Sequence, residues 1–315
     1  MTELKSYTLA ILASLWVVVV AGLAILQPSA LDVSTVTTIL QFSTILGLVS
    51  LGQGVVILCG GAGIDLSVGG IASLTSVVAM QAAEAGMPLP LLPVICIVVG
   101  AGLGTFNGLL VTRLGLLPLI ATLGTFYVYS GAAVATTGGA VLSGVPSYFI
   151  VWGRGVVSGL PLPFLTLTLP LFLLTAILLR FTAWGRWIYA LGFNERSARL
   201  VGIPVDRVRL IAYGASGAFA GSAALVGLAW LGSARPNIGQ NLELTSLTAA
   251  LLGGIGIMGG RGGVIGILAA VLLLVTLQTG LLQLNVNSIW QVGIIGALLI
   301  IVLLADNLRF IRRST

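Results

Sequence analysis

The chain has 315 residues, of which 58% are apolar, 7% are charged and none is histidine, and its formal net charge is +6. Soluble domains carry about 25% charged residues, so this composition excludes a water-soluble globular protein. The lack of histidine excludes a His-based zinc site and a Ser–His–Asp triad. Long apolar runs recur throughout, and runs such as Ile267–Leu284 do not alternate as barrel strands do. We therefore predict an all-α polytopic membrane protein.

The hydropathy pattern predicts about ten transmembrane helices within one domain, residues 1–315. In chain order the predicted spans are Tyr7–Leu26, Thr38–Leu58, Val68–Ala83, Leu91–Val111, Pro118–Ala135, Leu162–Leu179, Val208–Leu231, Leu242–Met258, Val264–Leu284 and Ser288–Ala305. The first run is too long for a signal-peptide core of 7–15 residues, so we interpret it as a retained helix. When the spans alternate from a cytoplasmic N-terminus, twelve of the 14 Lys and Arg residues lie on the inner side. By the positive-inside rule, both termini are predicted to be cytoplasmic.

Two of these spans, Val68–Ala83 and Leu242–Met258, are short and rich in Gly, Ser or Thr. Short or interrupted spans in transporters often build the substrate path, whereas small residues also serve helix packing alone. Both interpretations stay open at this point. On the first one, the residues predicted to line the path are Thr245, Ser246 and Thr248.

A charged loop at about residues 180–209 interrupts the apolar pattern, and Gly185–Leu210 holds seven of the chain's 22 charged residues. Asn194 is a favoured N-cap residue, whereas Gly202 followed by a proline is typical of a helix end. The segment between them predicts a helix of about two turns, which is too short to be stable alone in water. It is either an ordinary arginine-rich inner loop or a helix that docks on a cytoplasmic partner. The residues assigned to docking are Asn194, Glu195, Arg196, Ala198, Arg199 and Gly202.

Polar residues at three other places are candidates for function. Asp65 or Ser67 is placed to cap the helix that starts near Val68 and to lie at an inner gate; the alternative is an ion-coupling carboxylate at Asp65. The long outer segment at about residues 136–161 is either a cap or a re-entrant element. The most polar outer loop is either plainly solvated or contacts an outer partner through Arg235, Asn237 and Gln240.

No motif for catalysis is present in the chain. The turn GGRGG at residues 259–263 is not a phosphate-binding loop, because it lacks the GxxxxGK[ST] pattern. The two cysteines, Cys59 and Cys96, lie in apolar runs without the CxxC spacing of a metal or redox site. We therefore predict no enzyme activity, no metal and no cofactor on this chain, and energy from ATP must come from another chain.

Five ordered blocks resemble the ABC-transporter inner-membrane permeases of the ribose type, a family with a branch for autoinducer-2. The blocks are GIDLSVGG (residues 63–70), FNGLLVTRLGLLPLIATLGT (106–125), GRWIYALGFNERSARLVGIPVDRVRL (185–210), GSARPNIGQNLELTSLTAALLGG (232–254) and GGRGG (259–263). Arg235 stands where the family commonly has a neutral residue, and Gly263 where it commonly has serine.

The resemblance implies a permease subunit of an ATP-driven importer for a monosaccharide or related small polyol. It implies a multi-pass protein of the bacterial inner membrane, in contact with lipid and not with nucleic acid. A second permease subunit, identical or related, completes the pore. A cytoplasmic ATPase binds ATP and Mg²⁺ and grips a coupling helix, which maps here onto Asn194–Gly202. An extracytoplasmic sugar-binding protein delivers the solute. The alternative function is an ion-coupled secondary transporter of a small solute.

Overall fold

The computed structural model describes residues 2–27, 32–61 and 63–314, and these are largely helical. The helices are α1 (Thr2–Leu26), α2 (Val33–Leu58), α3 (Val68–Glu84), α4 (Leu92–Thr112), α5 (Pro118–Thr137), α6 (Ser147–Arg154), α7 (Leu169–Phe181), α8 (Ala183–Phe193), α9 (Glu195–Leu200), α10 (Val205–Leu231), α11 (Leu242–Leu252), α12 (Val264–Gln283) and α13 (Ser288–Ser314). A 3₁₀ turn precedes α4 and a π-helical turn precedes α7. Four two-residue strands are β1 (Leu142–Ser143), β2 (Val156–Val157), β3 (Leu160–Pro161) and β4 (Ser233–Ala234).

Seven helical segments of the described chain are long and apolar enough to cross a membrane, which confirms the prediction of an all-α, multi-pass membrane protein. They are Leu9–Leu26, Val33–Leu58, Leu89–Thr112, Pro118–Thr137, Phe164–Phe181, Val205–Leu231 and Val264–Gln283. The other three predicted spans contain shorter helices, namely α3, α11 and the apolar part of α13, Ile289–Val302.

The predicted span Leu242–Met258 is wrong at its end, because α11 stops at Leu252. The chain turns at Gly254, whose φ of +87° lies in the left-handed region. The preceding Gly253 also packs directly on α12, and a Cβ there would lie 2.6 Å from the carbonyl carbon of Gly266. The break thus depends on a contact between helices.

Glycine-to-glycine packing joins α4 to α10. Helix α10 and helix α2 together form the centre of the bundle. A Cβ on Gly100 would lie 2.9 Å from the Cα of Gly221, and one on Gly104 would lie 2.8 Å from the Cα of Gly217. Small residues of this kind let two helix backbones touch. This contact accounts for part of the high glycine content.

The two short helices α3 and α11 begin inside the bundle and not at one of its ends. Val68, the first residue of α3, packs against Leu48 and Val49 near the middle of α2. The chain just before α11 reaches the same place, since a Cβ on Gly239 would lie 2.8 Å from the Cα of Gly69. Helices that start part-way through the bundle need fewer residues than a full span, which accounts for their length.

The turns predicted to be outer lie together at one end of the bundle. There β1 pairs with β4, and β2 pairs with β3 within the outer segment. Helix α6 of the same segment ends at Arg154, whose Nε donates to the carbonyl oxygen of Trp230 at 2.8 Å. The outer segment therefore covers the end of α10, and the turns predicted to be inner meet at the opposite end.

Candidate functional site

Helix α9 is capped at both ends by the residues that the sequence indicated. Asn194 is extended (φ −158°), and its Oδ1 accepts the N–H of Ser197 at 2.9 Å. At the other end Gly202 has φ +82°, and the N–H groups of Gly202 and Ile203 donate to the carbonyls of Arg199 and Ala198. This pair of bonds is a Schellman motif. The predicted two-turn helix is confirmed.

Glu195 ties α9 to the start of α10. Its Oε1 accepts Arg199 Nη2 at 3.0 Å, and its Oε2 accepts Arg209 Nη2 at 2.6 Å. Arg199 also binds Asp206 at 2.9 Å. Partial burial opposes ionisation of Glu195, yet the hydrogen bonds and charges of Arg209 and Arg199 outweigh it and hold the pKa of Glu195 below its usual value. The sequence indicated the Glu195–Arg199 pair, whereas the bonds to Arg209 and Asp206 were missed.

Three glycines let the α8–α9 segment rest directly on two turns of the bundle. A Cβ on Gly60, in the turn after α2, would lie 2.8 Å from the Cα of Gly192 in α8, and a Cβ on Gly192 would lie 2.8 Å from the Cα of Gly260. The N–H of Gly260 also donates to the carbonyl of Leu58 at 3.0 Å. These are contacts of backbone with backbone, with no side chain between them. A displacement of α8 and α9 must therefore move both turns.

The outward surface formed by α9 and the residues on either side of it carries apolar and basic groups. Phe193 and Leu200 are 84% and 82% exposed, and Val201 is 76% exposed. Arg196 is exposed too, and its guanidinium has no hydrogen bond or ion pair with any described residue. Ala198, by contrast, is buried against the bundle. Exposed apolar groups beside polar ones mark a surface for a partner.

Asp65 lies fully buried in the segment between α2 and α3, against α10. Its Oδ1 accepts the Ser67 hydroxyl at 2.5 Å, and its Oδ2 accepts the Ser216 hydroxyl at 2.8 Å. The Ser67 Oγ in turn accepts Asn107 Nδ2 at 2.6 Å, and Tyr129 donates to Asn107 Oδ1 at 3.1 Å. A buried carboxyl group whose two oxygens accept hydrogen bonds in this way is satisfied within the fold.

The expected capping of α3 by Ser67 is wrong, because its hydroxyl is engaged by Asp65 and Asn107 and makes no cap hydrogen bond. Asp65 accepts the N–H of Ser67 instead, one residue before the helix begins. Asn107 and Ser216 were missed by the sequence reasoning. Asn107 could have been noticed, since it is the one amide side chain in α4.

Comparison with known proteins gives one family. Residues 35–303 match the model of the family described as branched-chain amino acid transport system / permease component. The chain belongs to this permease family. The ribose import permease protein of Bacillus subtilis is 37% identical over 296 residues, which cover 92% of this chain and 90% of that protein.

Other curated relatives carry similar names. An autoinducer 2 import system permease protein of Klebsiella pneumoniae is 34% identical over 90% of this chain and 86% of its own length. A probable ABC transporter permease protein of Sinorhizobium fredii is 33% identical over 91% of this chain and 85% of its own. No solved structure matches the chain. These relatives support an ABC importer permease and not the ion-coupled alternative.

The three residues predicted to line the permease's path lie together on α11. Thr245, Ser246 and Thr248 are buried within the single chain. Their hydroxyls donate to carbonyls at the start of α11 or just before it, at 2.7, 3.2 and 2.8 Å. These bonds use the donor of each hydroxyl and leave its acceptor lone pairs, and the role of the three residues in the path stays a prediction.

The predicted outer contact residues are exposed at the far end of the permease. Arg235, Asn237 and Gln240 are all solvent-accessible on the loop between β4 and α11. Gly239 within that loop is buried, and its N–H donates to Ser73 Oγ at 3.0 Å. The loop is thus anchored to α3 while its polar side chains point outward.

Proposed function

We propose that this permease forms the translocation path of an ATP-driven importer for a monosaccharide or a related small polyol. The relatives named as ribose and autoinducer 2 import permeases support this solute class. In this proposal ten transmembrane helices form one domain across residues 1–315 in the bacterial inner membrane. The short helices α3 and α11 and the apolar part of α13 complete the count.

The proposed orientation places both termini in the cytoplasm. Trp16 Nε1 of α1 donates to Thr276 Oγ1 of α12, and Leu12 packs beside Ala270. The two helices therefore run in parallel, so α1 starts at the end of the bundle where α12 starts and where α9 lies. The arginine-rich loop at about residues 180–209 belongs in the cytoplasm by the positive-inside rule, and this supports a cytoplasmic N-terminus.

The capped helix α9 is the observation that carries the proposal of ATP coupling. It is too short to be stable unaided, and its inner face is fixed to the bundle. Its outer face exposes Leu200 and Arg196, which pairs with no described residue, and Phe193 at the end of α8 is exposed beside them. A cytoplasmic ATPase subunit that holds ATP and Mg²⁺ is the proposed partner of this face. The permease itself then needs no cofactor.

Two further partners belong to the proposal. A second permease subunit, identical or related, completes the pore beside this one. An extracytoplasmic sugar-binding protein docks at the opposite end, where Arg235, Asn237 and Gln240 are exposed on their anchored loop. Arg235 is the charged member of this set. We therefore expect its contribution to docking to vary most from one binding protein to another.

The test replaces the outward-facing groups of α9 and leaves the bonds inside the chain intact. In Arg196→Glu and Leu200→Asp we expect solute uptake into ATP-loaded proteoliposomes and retention of the ATPase on the purified permease to fall at least about tenfold, the loss that follows from about 1.4 kcal/mol of binding energy. Arg186→Glu makes the same charge change at an exposed position of α8, outside the set of residues assigned to docking, and should behave as the parent protein.

Uptake that proceeds without ATP would contradict the proposal, and so would undiminished ATPase retention in both α9 variants. Competition of labelled ribose uptake by other monosaccharides, measured with the cognate binding protein present, tests the solute class separately. Failure of every sugar to compete, with ATP-dependent uptake of another solute, would reject the class while keeping the importer.

A further inference from the structure

A cleft of about 420 Å³ opens beside α9, at the end of the bundle where α4 and α10 have their termini. Its charged lining consists of Arg113, Arg199, Asp206 and Arg207, and the linker between α9 and α10 forms its apolar wall. Three guanidinium groups thus face one carboxylate around a space large enough for a small ligand or a headgroup.

The single acid of the cleft is already engaged. Asp206 Oδ1 accepts Arg199 Nη2 at 2.9 Å, and Arg199 is shared with Glu195. Arg113 and Arg207 are exposed, and their guanidinium groups make no ion pair or hydrogen bond to any residue in the described parts of the chain. Two uncompensated arginines around one cavity favour an anion, and planar guanidinium groups suit a phosphate in particular.

The surroundings of the cleft indicate where that phosphate comes from. Arg113 directly follows the last residue of α4, so the cleft lies where a membrane-spanning helix leaves the membrane. The next residues expose apolar side chains, with Leu114 and Leu117 68% and 66% exposed. Arginines close in the chain to exposed leucines match a lipid, whose headgroup is anionic and whose chains are apolar.

We propose that this cleft binds a phosphate group. The headgroup of an anionic lipid supplies that phosphate, from the membrane leaflet on the side of α9. Arg113 and Arg207 bind the phosphate oxygens, while Leu114 and Leu117 contact the acyl chains. An acidic segment of a protein partner has the same charge, but it would leave these leucines uncovered. The site does not depend on which solute the permease carries.

The test measures the thermal unfolding midpoint of the purified full-length permease in neutral detergent. Phosphatidylglycerol, phosphatidylcholine and inorganic phosphate are each added at matched concentrations. At phosphatidylglycerol concentrations about tenfold above its dissociation constant, we expect a rise of about 3 °C. The rise should be absent with phosphatidylcholine and should be lost in the double variant Arg113→Gln, Arg207→Gln. Arg186→Gln removes one arginine outside the cleft and should keep the full rise.

Each other outcome has a definite meaning. An equal rise in the double variant, or with phosphatidylcholine, overturns the site. The same rise with inorganic phosphate alone supports a phosphate site and overturns the lipid as its source. If the double variant loses its ATPase but keeps the lipid response, the cleft is a protein contact and the proposal fails. Arg113→Lys with Arg207→Lys keeps the charge, so a retained response there supports an anion site even if the glutamine variant unfolds.

Discussion

The side chain of Arg209 contacts both α9 and the turn that follows α2. Its guanidinium binds Glu195 at 2.6 Å and its side chain is only 15% exposed, so this ion pair is screened less than the two pairs of Arg199. The same guanidinium also lies against Gly61 in the turn after α2. Four residues further along the chain comes the buried Asp65, so one arginine contacts both α9 and the segment that leads to Asp65.

We expect Arg209→Gln to lower the number of solute molecules imported per ATP hydrolysed by about tenfold or more. The reason is that a lost hydrogen bond between charged groups costs about 1.5–3 kcal/mol. The loss weakens the connection from α9 to the turn that leads to Asp65, although the Arg199–Asp206 pair remains. The measurement is paired uptake and ATP hydrolysis in proteoliposomes that contain the whole importer.

Glu195→Gln and the double variant supply the control. If both residues act through their mutual bond, the double variant should be no worse than either single one. Strictly additive losses would show that Arg209 acts by another route, and an unchanged import ratio would show that the bond does not transmit movement.

The residues of the site differ in how far the sequence could reveal them. Asn194 and Gly202 were predicted because their signals are local: a cap oxygen bonds an amide three residues away, and a left-handed turn requires glycine. Arg209 meets Glu195 across 14 positions, and Ser216 meets Asp65 across 151. No local pattern encodes such pairs, because folding alone brings them together.

The same distinction holds for whole elements. The bounds of α9 follow from capping chemistry, so the sequence predicted both of its ends. The end of α11 depends on Gly253 meeting Gly266 of another helix, and hydropathy carries no information about that contact. Helix α6 and the four short strands were likewise not predicted, since they form by pairing within and across the outer segment.

At the scale of the α9 element, we expect Gly202→Ala to destabilise the permease by about 1–2 kcal/mol, the cost of a left-handed conformation for a residue with a Cβ. The cause is conformational, because φ is +82° and a Cβ would have no atom within 4 Å. Gly102→Ala is the matched control, since Gly102 has equally open space but lies inside helix α4. That change should stabilise by about 0.5–1 kcal/mol.

Denaturant unfolding of both variants in detergent checks the difference in sign. If both variants lose stability, the effect of replacing an exposed glycine does not come from its φ angle. Weaker ATPase retention in Gly202→Ala alone would follow from a frayed α9, because the Schellman motif closes its last turn.

For the molecule as a whole, the sequence predicted how the turns divide between two ends, and the contacts of the two ends agree with that division. Hydropathy and arginine placement were enough for this, because each depends on composition and not on packing. The starting points of α3 and α11 inside the bundle could not be predicted from the same pattern. Those depend on Gly69 meeting Gly239, which are 170 positions apart in the sequence.

The proposed orientation predicts which end of the molecule can be labelled from outside the cell. Ser158→Cys, exposed in the turn of the β2–β3 hairpin, should react with a membrane-impermeant maleimide in intact cells. Leu200→Cys, exposed on α9, should react only after the inner membrane is permeabilised. Native Cys59 and Cys96 are buried and provide a silent background. The reverse labelling pattern would place α9 outside and reject the orientation.

The charge of the bundle interior has a consequence for energetics. Asp65 is the one acidic or basic side chain that is fully buried in the part of the chain that the structure describes, and three surrounding groups hold it in place. The close contacts of Gly60, Gly192 and Gly260 are made of neutral backbone. A charge that crossed the membrane would couple to the potential by about 2.3 kcal/mol per 100 mV, but shifts at these contacts carry none. The rate at which the proposed sugar is imported into proteoliposomes should therefore be the same with or without a potassium diffusion potential.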